Sequence, residues 1–449
     1  MKCQVRAGRA GIGTSVIAIV VVLVVVVAVA ALYSASTAQP PSYSCPTTGG
    51  FNSSSGPIKI GYVSELSGSD EINGYAALIG TELAVNQTNA SGGVDGRAIQ
   101  LVVYNDTTNP SLAVEGACTL LQQDHVLAIT GPTDQAEAIP LQTFSEVNGV
   151  PLVVSAVSSA ALAPPNSNWT VSIQPDAVQW GAALAKYVSE VVPHAKIAIM
   201  EQNAEPQMEM AAGVRWFANN YRNESVVFDQ LYANAQFPWA TAAAAAKTSG
   251  ANAVVVSWRL SSPGFSESNV IQALLSIGFN QSQIFVTSAS NQVGEIGVGA
   301  SGIRGATLFN GALAAGYPNA SAFVSLLQPY VNYALNSSDY CGLCPTAIGP
   351  IYYYPYLGMK MMIGAMGKVL SSGQTLDRAS FMAAMKRSSI QDAFGNTLSI
   401  GPSGLALGTF YIVEDGQLNS TSSAYPLTLI KEIKFAPGSI PSYQISKTS

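Results

Sequence analysis

From residue 58 onward, short apolar runs alternate with segments in which apolar residues recur every three or four positions. The first four runs are aliphatic and β-branched, as in buried strands. They are IKIGYV (58–63), AIQLVVY (98–104), VLAIT (126–130) and PLVVS (151–155). The intervening segments have helical periodicity; the first places Tyr75, Leu78, Ile79 and Leu83 on one face. This alternation predicts a parallel sheet with helices on both faces.

A second set of the same units begins after residue 176. Its apolar runs lie at 195–200, 225–232, 253–257 and 284–288, again separated by helical segments. A strand at 306–310, long helical segments and a C-terminal β-hairpin complete the predicted order. Chains of more than about 300 residues usually divide into domains. The pattern therefore predicts an α/β protein with two doubly wound lobes.

The N-terminal region predicts the compartment. Residues 12–32 carry no charge, follow Lys2, Arg6 and Arg9, and are long enough to cross a bilayer core of about 30 Å. We expect a cytoplasmic basic segment at 1–11, one transmembrane helix in the lipid bilayer at 12–32 and a Ser/Thr/Pro-rich tether at 33–56. A cleaved signal peptide is the alternative, because small residues near position 38 suit cleavage. Either arrangement exports the residues after about 33. With the anchor retained, we expect a single-pass protein of the cell membrane with the bulk of the chain extracytoplasmic.

Charge is scarce along this chain. Only 10% of residues are charged, and the formal net charge is −6. Nucleic acid is excluded as a partner, since it requires clustered Lys and Arg. A low number of carboxylates suits a protein in an acidic exterior, because few groups would become protonated there. We therefore expect a flat dependence of stability on pH into the acid range.

The cysteines and glycosylation triplets agree with export. Cys341 and Cys344 lie in YCGLCP, and in an exported chain this spacing favours a loop disulfide, or halves of two different bridges, over a redox centre. Cys45 and Cys118 are isolated in the sequence. Ten Asn-x-Ser/Thr triplets permit the chain to be a surface glycoprotein.

Several motifs occur in a characteristic order between residues 58 and 159. They are IKIGYVSELSG, GTELAVNQTNASGGVDGRAIQLVVYNDTTNP, ITGP and NGVPLVVSAVSS. Together they resemble the extracytoplasmic solute-binding proteins of ABC importers, of the branched-chain amino acid-binding type. The resemblance implies a type I periplasmic-binding fold, with two lobes joined by three crossing strands and a solute in the cleft. The crossings would lie near 169–174, 304–311 and 398–408.

The same resemblance implies the domain boundaries and the partners. Lobe 1 would comprise 57–172 and 308–400, lobe 2 would comprise 173–307 and 401–436, and 437–449 would form a tail. The implied partners are a small-molecule solute and the membrane permease subunits of an ABC importer. No cofactor and no metal are implied.

Two strand-to-helix turns of lobe 1 are candidate binding elements. Ligands of open α/β sheets lie beyond the carboxyl ends of the strands, where helix N-termini suit a carboxylate. The turns at 131–138 and 155–162 contain Thr133, Asp134, Gln135, Ser158 and Ser159. The resemblance implies that Gln135 replaces a carboxylate-binding hydroxyl, and that Ser158 and Ser159 supply a carbonyl and a hydroxyl. Helix capping is the alternative role for the two serines.

Other candidates follow from the resemblance. Asn73 stands where a Tyr of the family packs on the ligand. An aromatic residue of lobe 2 corresponds to Trp258 or Arg259; Trp258 would stack on the ligand or fill the core. Arg259 would clamp a carboxylate bidentately or form a structural ion pair.

The acidic residue that pairs with a ligand amine in the family has no counterpart at 288–290. Glu65 or Glu201 would substitute for it, with Gln202 beside Glu201 at the same strand end. Alternatively, the ligand is not an amino acid.

An enzyme is not expected. The chain lacks G-x-S-x-G, HExxH and a Gly-rich phosphate loop, and His125 and His194 lie before strands rather than after them. The prediction is capture of a small polar solute, an amino acid or related carboxylate or amide, by hinge closure. The alternative is a ligand-sensing receptor ectodomain that acts through a partner.

Overall fold

The computed structural model describes most of the chain from residue 56 to residue 435. The described ranges are 43–45, 50–51, 56–155, 157, 159–162, 167–204, 206–221, 224–232, 239–257, 267–287, 301–308, 313, 316–337, 348–392, 394–401, 403–417 and 427–435. The predicted transmembrane helix at 12–32, the tail at 437–449 and most of the predicted tether lie outside these ranges. So do Ser158, Trp258, Arg259, Cys341 and Cys344.

The N-terminal part of the first lobe follows the predicted strand–helix order. Its elements are β1 (Ile58–Ser64), α1 (Glu71–Ala90), β2 (Ile99–Asn105), α2 (Pro110–Gln122), β3 (Ile129–Thr130), α3 (Gln135–Asn148), β4 (Leu152–Val154), a short 3-10 helix (Ala160–Leu162) and β5 (Thr170–Pro175). All β1 residues except Lys59 are buried, and the strand pairs in parallel with β2 and β3. A continuous apolar run is typical of parallel strands covered on both faces.

The second lobe repeats this order. Its elements are α4 (Ala177–Val191), β6 (Lys196–Gln202), α5 (Gln207–Asn220), β7 (Ser225–Tyr232), α6 (Trp239–Thr248), β8 (Ala253–Ser257), α7 (Glu267–Ser276), β9 (Ile284–Val286) and β10 (Arg304–Thr307). Helices α4 and α5 pack closely because glycines face each other's backbone. A Cβ at Gly181 would lie 1.8 Å from the carbonyl oxygen of Met210, and one at Gly213 would lie 2.0 Å from that of Val178.

The chain then returns to the first lobe and finally to the second. The remaining elements are α8 (Pro318–Asn336), α9 (Pro350–Ser371), α10 (Arg378–Met385), β11 (Ser389–Gln391), β12 (Thr397–Ile400), β13 (Leu405–Leu407), β14 (Thr409–Asp415) and β15 (Leu427–Lys434). Helix α9 packs against α1, with Gly80 placed so that a Cβ would lie 2.1 Å from the carbonyl oxygen of Tyr352. Strands β14 and β15 form the predicted antiparallel hairpin.

Two sheets organise the described residues. The first has the strand order β11-β12-β13-β5-β4-β3-β1-β2, and the second has the order β15-β14-β10-β9-β8-β6-β7. The chain passes from the first sheet to the second at Pro175–Asp176 and again at Gly408. These two crossings touch, because a Cβ at Gly408 would lie 2.6 Å from Cγ of Pro175. The predicted α/β architecture with two lobes is confirmed.

The start of the described chain is fixed to the first lobe. Cys45 and Cys118 form a disulfide, with their Cα atoms 5.6 Å apart. The side chain of Asn148, the last residue of α3, accepts a 2.9 Å hydrogen bond from the Cys45 amide and donates a 2.7 Å bond to the Tyr43 carbonyl. The sequence did not predict this pairing, because 73 positions separate the two cysteines.

Candidate ligand-binding site

The carboxyl ends of β1, β3 and β4 in the first sheet and of β6, β8 and β9 in the second carry the candidate site. The turn after β3 is shaped by Gly131, whose φ of +130° favours glycine and whose Cβ position lies 2.3 Å from the Val63 carbonyl oxygen. This turn leads into α3, where the Asp134 side chain accepts a 3.1 Å bond from the Ala136 amide. Asp134 is therefore the N-cap of α3.

Glu65 fills the turn at the start of α3. Its side chain is fully buried, and Oε1 accepts hydrogen bonds from the amides of Thr133 (3.0 Å) and Asp134 (3.2 Å). Oε2 accepts a 2.9 Å bond from the Ser64 hydroxyl. Burial raises the pKa of Glu65, and the hydrogen bonds from Ser64 and Thr133 oppose that rise. The position predicted for a ligand carboxylate thus holds a carboxylate of the protein itself.

The Thr133 hydroxyl lies between two acidic side chains. Its Oγ1 is 3.0 Å from Oε2 of Glu65 and 3.2 Å from Oδ2 of Asp70. Asn73, half-buried on the first turn of α1, donates a 2.8 Å bond to the other oxygen of Asp70. The structure therefore brings Glu65, Asn73 and Thr133 together through Asp70, a residue that the sequence did not single out.

Two further buried carboxyl groups lie beside Glu65. Burial raises the pKa of Asp106 to about 7, and the charge of Glu65 adds to the effect. Burial raises the pKa of Glu137 to about 8, with further contributions from the charges of Glu65, Asp134 and Asp106. Oδ2 of Asp106 and Oε2 of Glu137 are buried without a hydrogen-bond partner. Nε2 of Gln135, also buried, lacks a partner as well.

Ser159 connects the two lobes. Its buried hydroxyl donates a 2.9 Å hydrogen bond to Oε1 of Glu209, which lies in the first turn of α5. The same oxygen accepts a 3.1 Å bond from the Ala161 amide at the 3-10 helix. Ser159 thus caps a short helix, as the alternative interpretation holds, and also contacts the second lobe.

The second lobe contributes buried polar groups at its strand ends. Glu201 is paired with Arg215, which also donates a 2.5 Å bond to Asp229. Burial raises the pKa of Glu201, and the charge of Arg215 opposes that rise. Gln202 is buried beside Glu201. Oε1 of Gln207, at the start of α5, is buried without a partner, whereas the Gln207 carbonyl accepts a 2.7 Å bond from the Ser257 hydroxyl.

Sequence reasoning missed four acidic residues of this region. They are Asp70, Asp106, Glu137 and Glu209. Asp106 follows a predicted strand, and Glu137 and Glu209 lie in first turns of helices, so each occupied a recognisable place. The proximity of Asp106 and Glu137 to Glu65 depends on which strands are neighbours in the first sheet, and one sequence does not give that order.

The sequence profile of the periplasmic binding protein family matches residues 57–417. The chain belongs to this family. It is similar to the Leu/Ile/Val-binding protein of Citrobacter freundii, with 26% identity over 176 residues, which are 39% of this chain and 48% of that protein. The matched region spans about half the length of that relative.

Solved structures of periplasmic binding proteins share this fold. An ABC transporter substrate-binding protein from Sphaerobacter thermophilus has a TM-score of 0.69 at 20% identity, covering 84% of this chain and 98% of that one. A solute-binding protein from R. palustris in complex with 4-hydroxybenzoate has a TM-score of 0.63 at 18% identity, with coverages of 84% and 97%. The predicted type I periplasmic-binding fold is confirmed.

The described residues lack two further features. No helix there is both long and apolar enough to cross a bilayer. No group of three or more His, Cys, Asp or Glu side chains in the same ranges is arranged to hold a metal ion.

Proposed function

We propose that this periplasmic binding protein captures a small polar solute between its lobes as the extracytoplasmic component of an ABC import system. The observation that carries the proposal is the set of buried, unpartnered polar atoms in the first turns of α3 and α5, helices that follow strands of the two sheets. Gln135 and Glu137 provide such atoms on the first lobe, and Gln207 provides one on the second. Buried polar groups normally have partners, so a bound solute is the natural partner here.

Relatives give the range of solutes to examine. The Citrobacter freundii relative is a Leu/Ile/Val-binding protein, and the R. palustris structure holds 4-hydroxybenzoate. Amino acids, amides and small aromatic acids are therefore the first candidates. On binding, the second lobe would rotate about the crossings at Pro175–Asp176 and Gly408 and cover the solute, and the closed form would dock on the permease.

We also propose that the protein is held at the cell surface by residues 12–32, with the lobes outside. The uncharged apolar sequence of that segment supports an anchor. The Cys45–Cys118 disulfide supports export, because such bonds persist in oxidising compartments. Fractionation, with protease added to intact cells, tests this placement; a chain that is protected from the protease would contradict it.

A thermal-shift screen of the full chain in detergent tests the binding role. The panel contains amino acids, amides, organic acids and sugars at millimolar concentration. A ligand present at 100 times its Kd stabilises the folded state by about 2.7 kcal/mol, which is a clear shift. Titration calorimetry and small-angle scattering of any positive compound should then show one site and a smaller radius of gyration. If no compound shifts the transition, the proposed function fails.

A further inference from the structure

The start of α3 is a ready anion-binding site that is already occupied. Unpaired amides and the helix dipole at a helix N-terminus favour a negative group. Here the amides of Thr133 and Asp134 donate to the Glu65 carboxylate at 3.0 and 3.2 Å. A solute carboxylate could bind here only by displacing the Glu65 carboxylate. Its hydrogen bonds to the two amides would then replace those that Glu65 loses, with no net gain in their number.

The surroundings of Glu65 disfavour a second anion. Asp106, Asp134 and Glu137 lie close enough for their charges to act on one another or on Glu65. None of these four carboxylates forms a salt bridge with Lys, Arg or His in the described part of the chain. At pH 8 Asp106 is mostly ionised and Glu137 partly so, and a further negative charge would then be repelled by the group, whereas a positive charge would be attracted by it.

Glu137 has a buried carboxylate oxygen without a hydrogen-bond donor. The side chain is 1% exposed, and its Oε2 has no hydrogen-bond donor. The charges of Glu65, Asp134 and Asp106 contribute to the rise in its pKa, so the Glu137 carboxyl group lies near them. A buried carboxylate oxygen normally accepts a hydrogen bond, and the partner that suits this one carries positive charge.

We infer that the first lobe binds the positively charged end of the solute, an alkylammonium group, next to Glu137 and Glu65. The inference rests on the proposed function and narrows its solute class to amines, including amino acids whose ammonium group is directed at the first lobe. An ammonium group supplies three donors and requires no fixed coordination geometry. A metal ion fits less well, since the described residues contain no suitable ligand group.

Matched one-charge probes test this inference on the full chain. Isopentylamine and isovalerate share one carbon skeleton with opposite charges, and benzylamine and benzoate form a second such pair. Titration calorimetry at pH 8 should give each amine an affinity at least tenfold higher than that of its matching acid. Equal or tighter binding of the acids overturns the inference and leaves the proposed function standing. Failure of these probes and of the whole solute panel removes the proposed function itself.

Two variants locate the ammonium group. Glu137→Gln preserves the side-chain shape and should weaken isopentylamine binding at least tenfold. The matched control is Glu115→Gln, on the exposed face of α2, which should bind like the wild type. Unchanged affinity in Glu137→Gln, with a native circular dichroism spectrum, contradicts the inference. If that variant does not fold, the comparison of amine and acid affinities in the wild type tests whether the first lobe binds an ammonium group.

Glu65→Ala tests the occupied anion site separately. Removing the side chain frees the amides of Thr133 and Asp134, so added acetate should raise the melting temperature of this variant and leave that of the wild type unchanged. Formate should act in the same way, and acetamide should not. If acetate does not stabilise the variant, Glu65 does not fill an anion site and the inference loses its first step.

Discussion

The hydroxyl of Ser159 in the first lobe donates a 2.9 Å hydrogen bond to Oε1 of Glu209 in the second lobe. The bond joins the loop before a 3-10 helix to the first turn of α5, at the edges where the strand ends of both sheets meet. A contact of this kind exists only when the lobes are close together. In the proposed hinge motion, this bond would stabilise the closed arrangement relative to an open one.

Ser159→Ala should shift the protein toward the open arrangement. A hydrogen bond to a charged group contributes about 1.5–3 kcal/mol, so the affinity for a solute identified by the thermal-shift screen should fall about 10-fold or more. Titration calorimetry gives the affinity, and small-angle scattering should show a larger radius of gyration without solute. Ser325→Ala, on the exposed side of α8, is the matched control. Wild-type affinity in Ser159→Ala would show that the bond does not contribute to closure.

Buried carboxyl groups should make the protein most stable at mildly acidic pH. Burial raises the pKa of Asp106 to about 7 and that of Glu137 to about 8, above the usual values of 3.8 and 4.5. Between those limits the folded state holds protons that the unfolded state has released. The resulting stabilisation is fully present below the unfolded-state pKa values. It is lost as the pH rises to the folded-state pKa values, at ~1.4 kcal/mol per pH unit for each proton.

The melting temperature, followed by differential scanning fluorimetry, should therefore rise as the pH falls from 8 to 5. This is a steeper dependence than the flat curve expected from the low content of charged residues. Glu137→Gln should reduce the slope, because it removes one of the buried carboxyl groups with a raised pKa. Glu190 opposes the trend weakly: hydrogen bonds from Lys186 and Lys431 outweigh its partial burial and lower its pKa. A melting temperature that falls steadily toward pH 5 would refute the prediction.

Hydrophobic patterning gave the architecture because strands in parallel sheets are nearly continuous apolar runs. The run predicted at 58–63 is β1 (Ile58–Ser64), and the run at 253–257 is β8 with the same bounds. The run at 126–130 is strand only at Ile129–Thr130, although the Leu127 amide already bonds to the Lys59 carbonyl. Burial alone predicts such elements, so one sequence suffices for them.

A glycine holds α1 against α9. Gly80→Ala would place a Cβ 2.1 Å from the Tyr352 carbonyl oxygen, and the backbone would have to move. We expect a loss of about 1–3 kcal/mol in the free energy of unfolding, measured by urea denaturation. Gly364→Ala, at an exposed position of α9 with open space around it, is the control and should stabilise by about 0.5–1 kcal/mol. Equal effects of the two substitutions would contradict the close packing.

The Cys45–Cys118 disulfide should contribute to stability. It links residues 73 positions apart, and a disulfide typically stabilises the folded state by roughly 2–4 kcal/mol. Cys45→Ser with Cys118→Ser should lower the free energy of unfolding by that amount. Peptide mapping without reduction identifies the bond directly, and the same map tests the predicted bridge between Cys341 and Cys344. An unchanged denaturation midpoint would show that the bond is not formed or does not contribute.

The details of the site were beyond sequence reasoning because they depend on contacts between distant residues. Glu65 and Thr133 were both candidates, yet 68 positions separate them and only the sheet order places one against the other. Glu201 was a candidate for pairing with a ligand amine, and the structure pairs it with Arg215 instead. The sequence thus predicted the strand ends that carry the site, and the structure supplied the partners of each group.

The attachment of Tyr43 and Cys45 to the ends of α2 and α3 determines where a pull on the N-terminus would act. Helix α3 starts at the carboxyl-terminal edge of the sheet and ends at the opposite edge. There the Asn148 side chain is hydrogen-bonded to the backbone of Tyr43 and Cys45. If residues 12–32 anchor the chain as proposed, mechanical load would enter the first lobe at that far edge, away from the crossings at Pro175–Asp176 and Gly408. Tension on that anchor would then leave the proposed closure of the second lobe unbiased.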